Sequence, residues 1–283
     1  MIRFLLFFLM AAMPFSSGLA SEVDVYTGET PVNSQDAPER RQALPKALAN
    51  VLEKYSGVRQ VEALPDAGPA LERASAILVT FYYRSVELPQ ADGSTMEEQR
   101  LVAKFTPAQV DELARSLQLP LWQPRRNPLE VWVVVDDGRQ RQVMPLEIAY
   151  VRNSLDQAAA RRGQPLVWPE PDEEGMYPVD MQLLWGGYTE DLASVNGVGV
   201  LILSARREGA QWGIRANLGF GGEHFAWRLQ NFDLQVGLTE GLQNAIDQVA
   251  ASSSIAASEQ GAWSTELTVS GLNSSTDYQQ CLA

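Results

Sequence analysis

The chain has one histidine and one cysteine in 283 residues. A structural zinc site needs about four Cys or His ligands, so none is expected here. The lone thiol, Cys281, has no partner for an intramolecular disulfide, and pairing between chains is the one bond left to it. Basic residues are also short: 22 Lys and Arg face 35 Asp and Glu, a formal net charge of −13. Neutralising a phosphate backbone needs a Lys/Arg-rich surface, so nucleic acid is not expected as a partner. No G-K-[ST] is present, and Gly197-Val198-Gly199 precedes a predicted strand rather than following one. Nucleotide binding through a phosphate-cradling loop is therefore not expected, and no cofactor is expected. Long apolar runs are absent after the N-terminus. The best later candidate, Val198 to Leu203, falls far short of the ~20 residues that span a bilayer.

What is present begins with a leader. Arg3 is followed by an apolar stretch from Phe4 to Phe15 (FLLFFLMAAMPF), then by small Gly18 and Ala20. That pattern predicts a signal peptide over residues 1–20, cleaved after Ala20, and a mature chain in the periplasm with no membrane span. A length near 280 predicts about two domains. The expected class is α/β (α+β), as two small mixed units in tandem over 21–142 and 143–251. A linker over 252–261 and the start of a third unit over 262–283 complete the division.

In the first unit, Leu44, Ala47, Leu48, Val51, Leu52 and Tyr55 recur at helical spacing and Gly57 stands at the closing position. Pro45 predicts that this helix begins near it or kinks there. Ile77–Leu88 and Gln99–Phe105 read as a hairpin around Ala91-Asp92-Gly93-Ser94. Thr106-Pro107-Ala108-Gln109 predicts a helix with a hydroxyl cap and a glutamine reaching back. Leu129–Val135 (LEVWVVV) is a continuous apolar run, as in a strand covered on both faces. The second unit is predicted as a helix over Leu146–Arg162, a short strand Leu166–Trp168 and a helix broken at Gly186-Gly187. Strands at Gly199–Ala205, Gln211–Leu218 and His224–Gln230 follow, then a helix capped by Thr239. Trp263–Val269 reads as a strand and Ser274 as a helix start.

Few residues are placed to carry chemistry. Asp136 and Asp137 follow the apolar strand, where ligands collect in open α/β sheets, and they are the weak catalytic candidates; the competing reading is a turn. His224, beside glycines at a strand start, reads as a strand-edge histidine. Glu170, Asp172, Glu173 and Glu174 crowd one loop without EF-hand spacing and read as a solvated acidic loop, with no metal assigned. Trp122, between prolines, with Arg125 and Arg126 beside it, is the candidate partner-binding group, against core packing of the tryptophan. The acidity is uneven: residues 21–143 carry 14 basic and 18 acidic side chains, residues 144–283 carry 7 and 17.

Four stretches carry a family likeness: VDVYTGETPVNSQDAPERRQALPKALANVLEKYSGV, VAKFTPAQVDELARSLQLPLWQPRRNPLEVWVVVDDG, AAARRGQPLVWP and LLWGGYTEDLASVNGVGVLILSARREGAQWGIRANL. In this order they resemble the bacterial exported family catalogued as domain of unknown function 2066. The resemblance implies an envelope protein of Gram-negative bacteria, transfers no catalytic residue, and implies a third unit longer than the one present. A looser fold-level likeness is to the α/β domains of envelope accessory proteins such as the curli secretion lipoprotein. The resulting expectation is a non-enzymatic binding or scaffold protein with an unidentified envelope partner. The alternatives are a carboxylate-based hydrolase and a small-ligand carrier.

Overall fold

The computed structural model describes residues 21–145, 148–193 and 199–259. The expected leader, the strand at Trp263–Val269, the helix from Ser274 and Cys281 lie outside the described residues. The chain opens with β1 (Ser21–Glu22) and β2 (Thr27–Pro31), followed by helix α1 (Ala37–Ser56). The predicted apolar face of α1 is buried, and Gly57 ends the helix with φ of 72°. The start differs from expectation. The helix begins at Ala37, and Pro45 lies in its interior. Burial of the long apolar face outweighs the ~3 kcal/mol that an internal proline costs. β2 sits so close to α1 that a Cβ on Gly28 would lie 2.0 Å from the Ala47 carbonyl oxygen, a spacing only glycine allows.

Helix α2 (Ala67–Glu72) leads to the hairpin β3 (Leu78–Pro89) and β4 (Thr95–Phe105). Asp92 shapes its turn by accepting from the Ser94 amide at 2.9 Å. The three strands form an antiparallel sheet in the order β2-β4-β3. Helix α3 (Pro107–Ser116) then buries Val110, Leu113 and Ala114 in the cluster that also holds Leu101, Ala103 and Phe105. Its predicted hydroxyl cap does not form. Thr106 Oγ1 donates instead to the Ile77 carbonyl at 3.1 Å, and the Gln109 side chain bonds Arg73 and Glu112. Anchoring the helix to the strand thus takes precedence over a local cap.

The second body follows short strands β5 (Leu121–Trp122) and β6 (Arg125–Arg126), the latter paired with β1. It contains β7 (Leu129–Asp136), β8 (Arg141–Val143), α4 (Ala149–Arg162) and β9 (Leu166–Val167). Helices α5 (Met181–Gly186) and α6 (Thr189–Ala193) follow, broken at Gly187 as predicted. Then come β10 (Gly199–Glu208), β11 (Gln211–Phe220), β12 (Glu223–Asn231), α7 (Leu234–Ser253) and β13 (Ser254–Ile255). Helix α7 starts five residues before the predicted Thr239 cap: Asp233 accepts from the Val236 amide at 3.0 Å, and Leu234 and Leu238 extend the buried face.

The second sheet has the order β12-β11-β10-β7-β8, with β9 also on β7. β7 runs parallel to β10 and β9 and antiparallel to β8. One face is covered by α4 and α7, burying Val131, Val133, Leu201, Leu203, Leu242 and Ile246. The opposite face is covered over its β7 half, where Leu184 of α5 meets Trp132, Val134 and Ile202. The molecule is therefore a mixed α+β protein. The unit boundary expected at 142 does not match the pairing: β7 hydrogen-bonds within the second sheet. The first hydrophobic cluster ends at Leu119, and Trp122 already belongs to the second. Its neighbour in sequence, β8, pairs only with Val134, Val135 and Asp136, so the membership of β7 rests on β10, a distant parallel partner along its whole length. The start of the expected linker is tied down as well, because Ser254 and Ile255 pair with Trp122 and Leu121.

Candidate functional site

The residues singled out from sequence fall in three separate places. Asp136 ends β7 and Asp137 follows it. Asp136 Oδ1 accepts from the Gly138 amide at 2.9 Å, and Oδ2 pairs with Arg141 at 3.3 Å and with Arg206 at 3.6 Å. Asp137 Oδ1 accepts from the Arg139 and Gln140 amides at 2.7 and 3.0 Å. The Gly138 amide and the two guanidinia hold the Asp136 carboxyl below its ordinary value, and the Gln140 and Arg139 amides do the same for Asp137. Both are turn-forming carboxylates, ionised at neutral pH, and neither is a proton donor.

Trp122 and Arg126 are buried, so neither is displayed to a partner, while Arg125 is exposed. Arg126 lies over the Trp122 ring, 3.6 Å from its centroid. Nη1 donates to the Arg162 and Gly163 carbonyls at 2.8 and 2.9 Å, Nε donates to Gln123 O, and Nη2 donates to Lys54 O. Those carbonyls include the last turns of α1 and α4, where helix dipoles place negative charge. Burial, reinforced by the neighbouring Arg162, pushes the guanidinium down to about 9. Arg162, also buried, donates to Asp247 at 2.8 Å, to Gln243 at 2.8 Å and to the Gly57 carbonyl. These arginines join the two bodies, and their donors are directed inward.

His224 lies on β12, an edge strand. Its Nδ1 is 3.0 Å from Thr189 Oγ1, and its Nε2 is 3.4 Å from Glu190. Among the described residues no group of three His, Cys, Asp or Glu could hold a metal ion. No helix among them is long and apolar enough to cross a membrane.

A cleft of about 480 Å³ lies between the bodies, with Lys54, Arg84, Arg100 and Arg161 on its walls. Each of these cations is engaged. Arg84 pairs with Glu29 at 2.6 Å, Arg100 with Glu98 at 2.7 Å and Arg161 with Glu53 at 2.9 Å, while Lys54 donates to the Thr27 carbonyl at 3.0 Å. This cleft is a polar seam between packed units.

A different arrangement occupies the uncovered half of the second sheet, on the face that carries α5. Register places Ser204, Arg215 and Arg228 directly opposite one another across β10, β11 and β12. One step along, Arg141, Asp136 and Arg206 form a second row across β8, β7 and β10. Trp185 of α5 lies beside both rows, with the Arg141 and Arg215 guanidinia 4.4 and 5.0 Å from its ring. Arg215 also donates to the Trp185 carbonyl at 2.5 Å. Gly187, at φ of 80°, ends α5 where a Cβ would strike the Asn217 side chain, which lets the helix settle onto the sheet beside this face.

Trp185, Ser204, Arg206, Arg215 and Arg228 line a shallow depression of about 320 Å³ together with Glu208, whose carboxylate accepts from Gln230 at 3.5 Å. Arg206 and Arg141 share Asp136, but Arg215 and Arg228 make no ion pair among the described residues. Burial, with Arg228 and Arg141 nearby, pushes the Arg215 guanidinium below its ordinary value. At the floor, Ser204 is 1% exposed and its hydroxyl has no hydrogen-bond partner among the described residues. Four of the seven basic residues after position 143 lie on these three strands, in the more acidic half of the chain. Unpaired guanidinia, a ring and an unsatisfied hydroxyl on one exposed face suit recognition of an anion.

Of the sequence candidates only Asp136 borders this face. The others in it lie on alternating strand positions that carry no motif. The signal that could have found them is turn length. Two-residue turns at Gly209-Ala210 and Gly221-Gly222 fix which residues face each other and carry the strands past the predicted Gly199–Ala205, Gln211–Leu218 and His224–Gln230.

A family model described as a domain of unknown function (DUF8605) matches residues 20–123. This agrees in kind with the sequence resemblance, since both are families of unknown function, but it replaces domain of unknown function 2066 as the family matched. The matched span runs just past Leu119, where the first hydrophobic cluster ends, and the arginine face lies outside it. No curated protein matches the chain.

Proposed function

We propose that this protein is a non-enzymatic binding or scaffold protein of the bacterial cell envelope, exported to the periplasm, and that the exposed arginine face of the second sheet is its binding surface. The observation that carries the reading is the pair Arg215 and Arg228, held side by side on adjacent strands with no ion pair among the described residues, while Glu208 in the same depression is bonded to Gln230. Like charges placed directly opposite across strands are destabilising, and a bound anion removes that cost. The turn-bound state of Asp136 and Asp137 supports binding over hydrolysis, because neither carboxyl is poised as a general acid.

The test is site-specific photo-crosslinking in cells, with the crosslinker placed at exposed Gln230 on this face or at exposed Glu173 in the acidic loop. A discrete adduct from position 230 and none from 173 is the expected result. Equal labelling at both positions, or none at either, overturns the surface assignment. Osmotic-shock fractionation tests the compartment, with release into the periplasmic fraction expected and retention in the cytoplasm counting against it.

A further inference from the structure

We infer that the Ser204–Arg215–Arg228 row is a site for a dianionic phosphomonoester group. This rests on the reading of the face as a binding surface and names the ligand chemistry.

The argument begins with charge. Two guanidinium groups stand opposite each other in register, so a monoanion neutralises only one of them, and a single planar carboxylate is filled by one guanidinium fork. A phosphomonoester carries close to two charges at neutral pH and offers three acceptor oxygens in a tetrahedral arrangement. Cross-strand Cβ atoms stand about 4.5–5.5 Å apart, close enough for two forks to reach one such group.

The second element is the buried hydroxyl. Ser204 occupies the next position in the same row, beside Arg215, and is 1% exposed with its hydroxyl unpartnered. A buried hydroxyl without a partner costs about 1–3 kcal/mol and is uncommon in folded proteins. It lines the same depression as both arginines, on the side away from the aliphatic core.

The third element is positioning. Trp185 fixes Arg215 through its carbonyl at 2.5 Å and its ring at 5.0 Å, so this guanidinium is oriented before any ligand arrives. Its carbonyl engages one nitrogen, and the rest of the guanidinium fork is left for an anion. Trp185 is a positioning residue. The arginines of the inter-body cleft differ in each respect, because every one already has a carboxylate.

The experiment uses the full chain and calorimetric titration with inorganic phosphate at constant ionic strength. Saturable binding is expected, weakened at least ten-fold in Arg215→Gln and in Arg228→Gln. Arg125→Gln removes an exposed charge elsewhere and is expected to leave the affinity unchanged. Binding is expected to weaken when the pH is lowered from 8 to 5, as the anion takes up a proton. A response no greater than to sodium chloride, an equal response to malonate, or an equal loss in Arg125→Gln would each overturn the proposal. A variant that fails to bind must retain the wild-type circular dichroism spectrum to count. Discrete crosslinking at position 230 without phosphate binding leaves the surface reading standing and removes this inference. Phosphate binding without any crosslink does the reverse.

Discussion

The protein uses arginine in two opposite ways, and the contrast lies between the joint of the two bodies and the open face of the second sheet. At the joint, Arg126 and Arg162 are buried and direct their donors to carbonyls of helix ends, to Gln243 and to Asp247. On the sheet, Arg215 and Arg228 sit in adjacent strands, partly or fully exposed and without an ion pair among the described residues. A guanidinium whose terminal nitrogens are answered by the protein is part of the architecture, and at the joint the buried Arg162 Nε alone has no partner among the described residues. One whose donors are left unanswered is available to a ligand. Residue type alone does not separate the two; the surrounding carbonyls and carboxylates do.

The largest expected effect breaks the joint. Arg126→Met leaves the buried carbonyls of Arg162 and Gly163 without a donor, and each such acceptor costs about 1–3 kcal/mol. Chemical denaturation is expected to show a loss of about 3 kcal/mol or more. A loss under about 1 kcal/mol would mean that the joint does not depend on this side chain. Ser204→Ala tests the sheet from the other direction: removing an unpartnered buried hydroxyl is expected to raise stability by up to about 1 kcal/mol. Destabilisation of that size would show that the hydroxyl is satisfied in solution.

Arg228→Gln sharpens the contrast further. Relieving the Arg215–Arg228 opposition is expected to leave stability unchanged or raise it by about 0.2–1 kcal/mol, opposite in sign to Arg126→Met. The smallest effect is in acid. The Asp136 carboxyl is held low by the Gly138 amide and two arginines, so its contribution is present above the ordinary carboxylate value and is lost as the pH falls through the lowered one. Wild-type stability is therefore expected to fall more steeply below about pH 4 than that of Asp136→Asn. Parallel pH profiles for the two would show that Asp136 contributes nothing through its charge.

Much of the fold was legible in the sequence because local patterns and local contacts agree. The face of α1, the hairpin β3–β4, the apolar run of β7 and the break at Gly187 all follow from spacing and turn chemistry. The misreadings have one physical origin, which is that distant packing outweighed local preference. Pro45 is tolerated because the rest of α1 is buried. Thr106 serves the β3 side of the sheet rather than its own helix. β7 takes its place beside β10 across two intervening helical regions. Of the candidate site, only Asp136 could be picked out, since it ends a strand whose apolar character is plain.

By itself the sequence determined the α+β class, most of the element types, the shortage of metal and thiol ligands and the uneven acidity. Composition and short-range spacing set these, and they need no partner distant in the chain. Only the tertiary structure decided that Trp122 and Arg126 face inward, that β7 belongs to the second sheet, and that Ser204, Arg215 and Arg228 stand in one row. Strand register and helix-end convergence place these groups, and both depend on contacts between residues far apart in sequence.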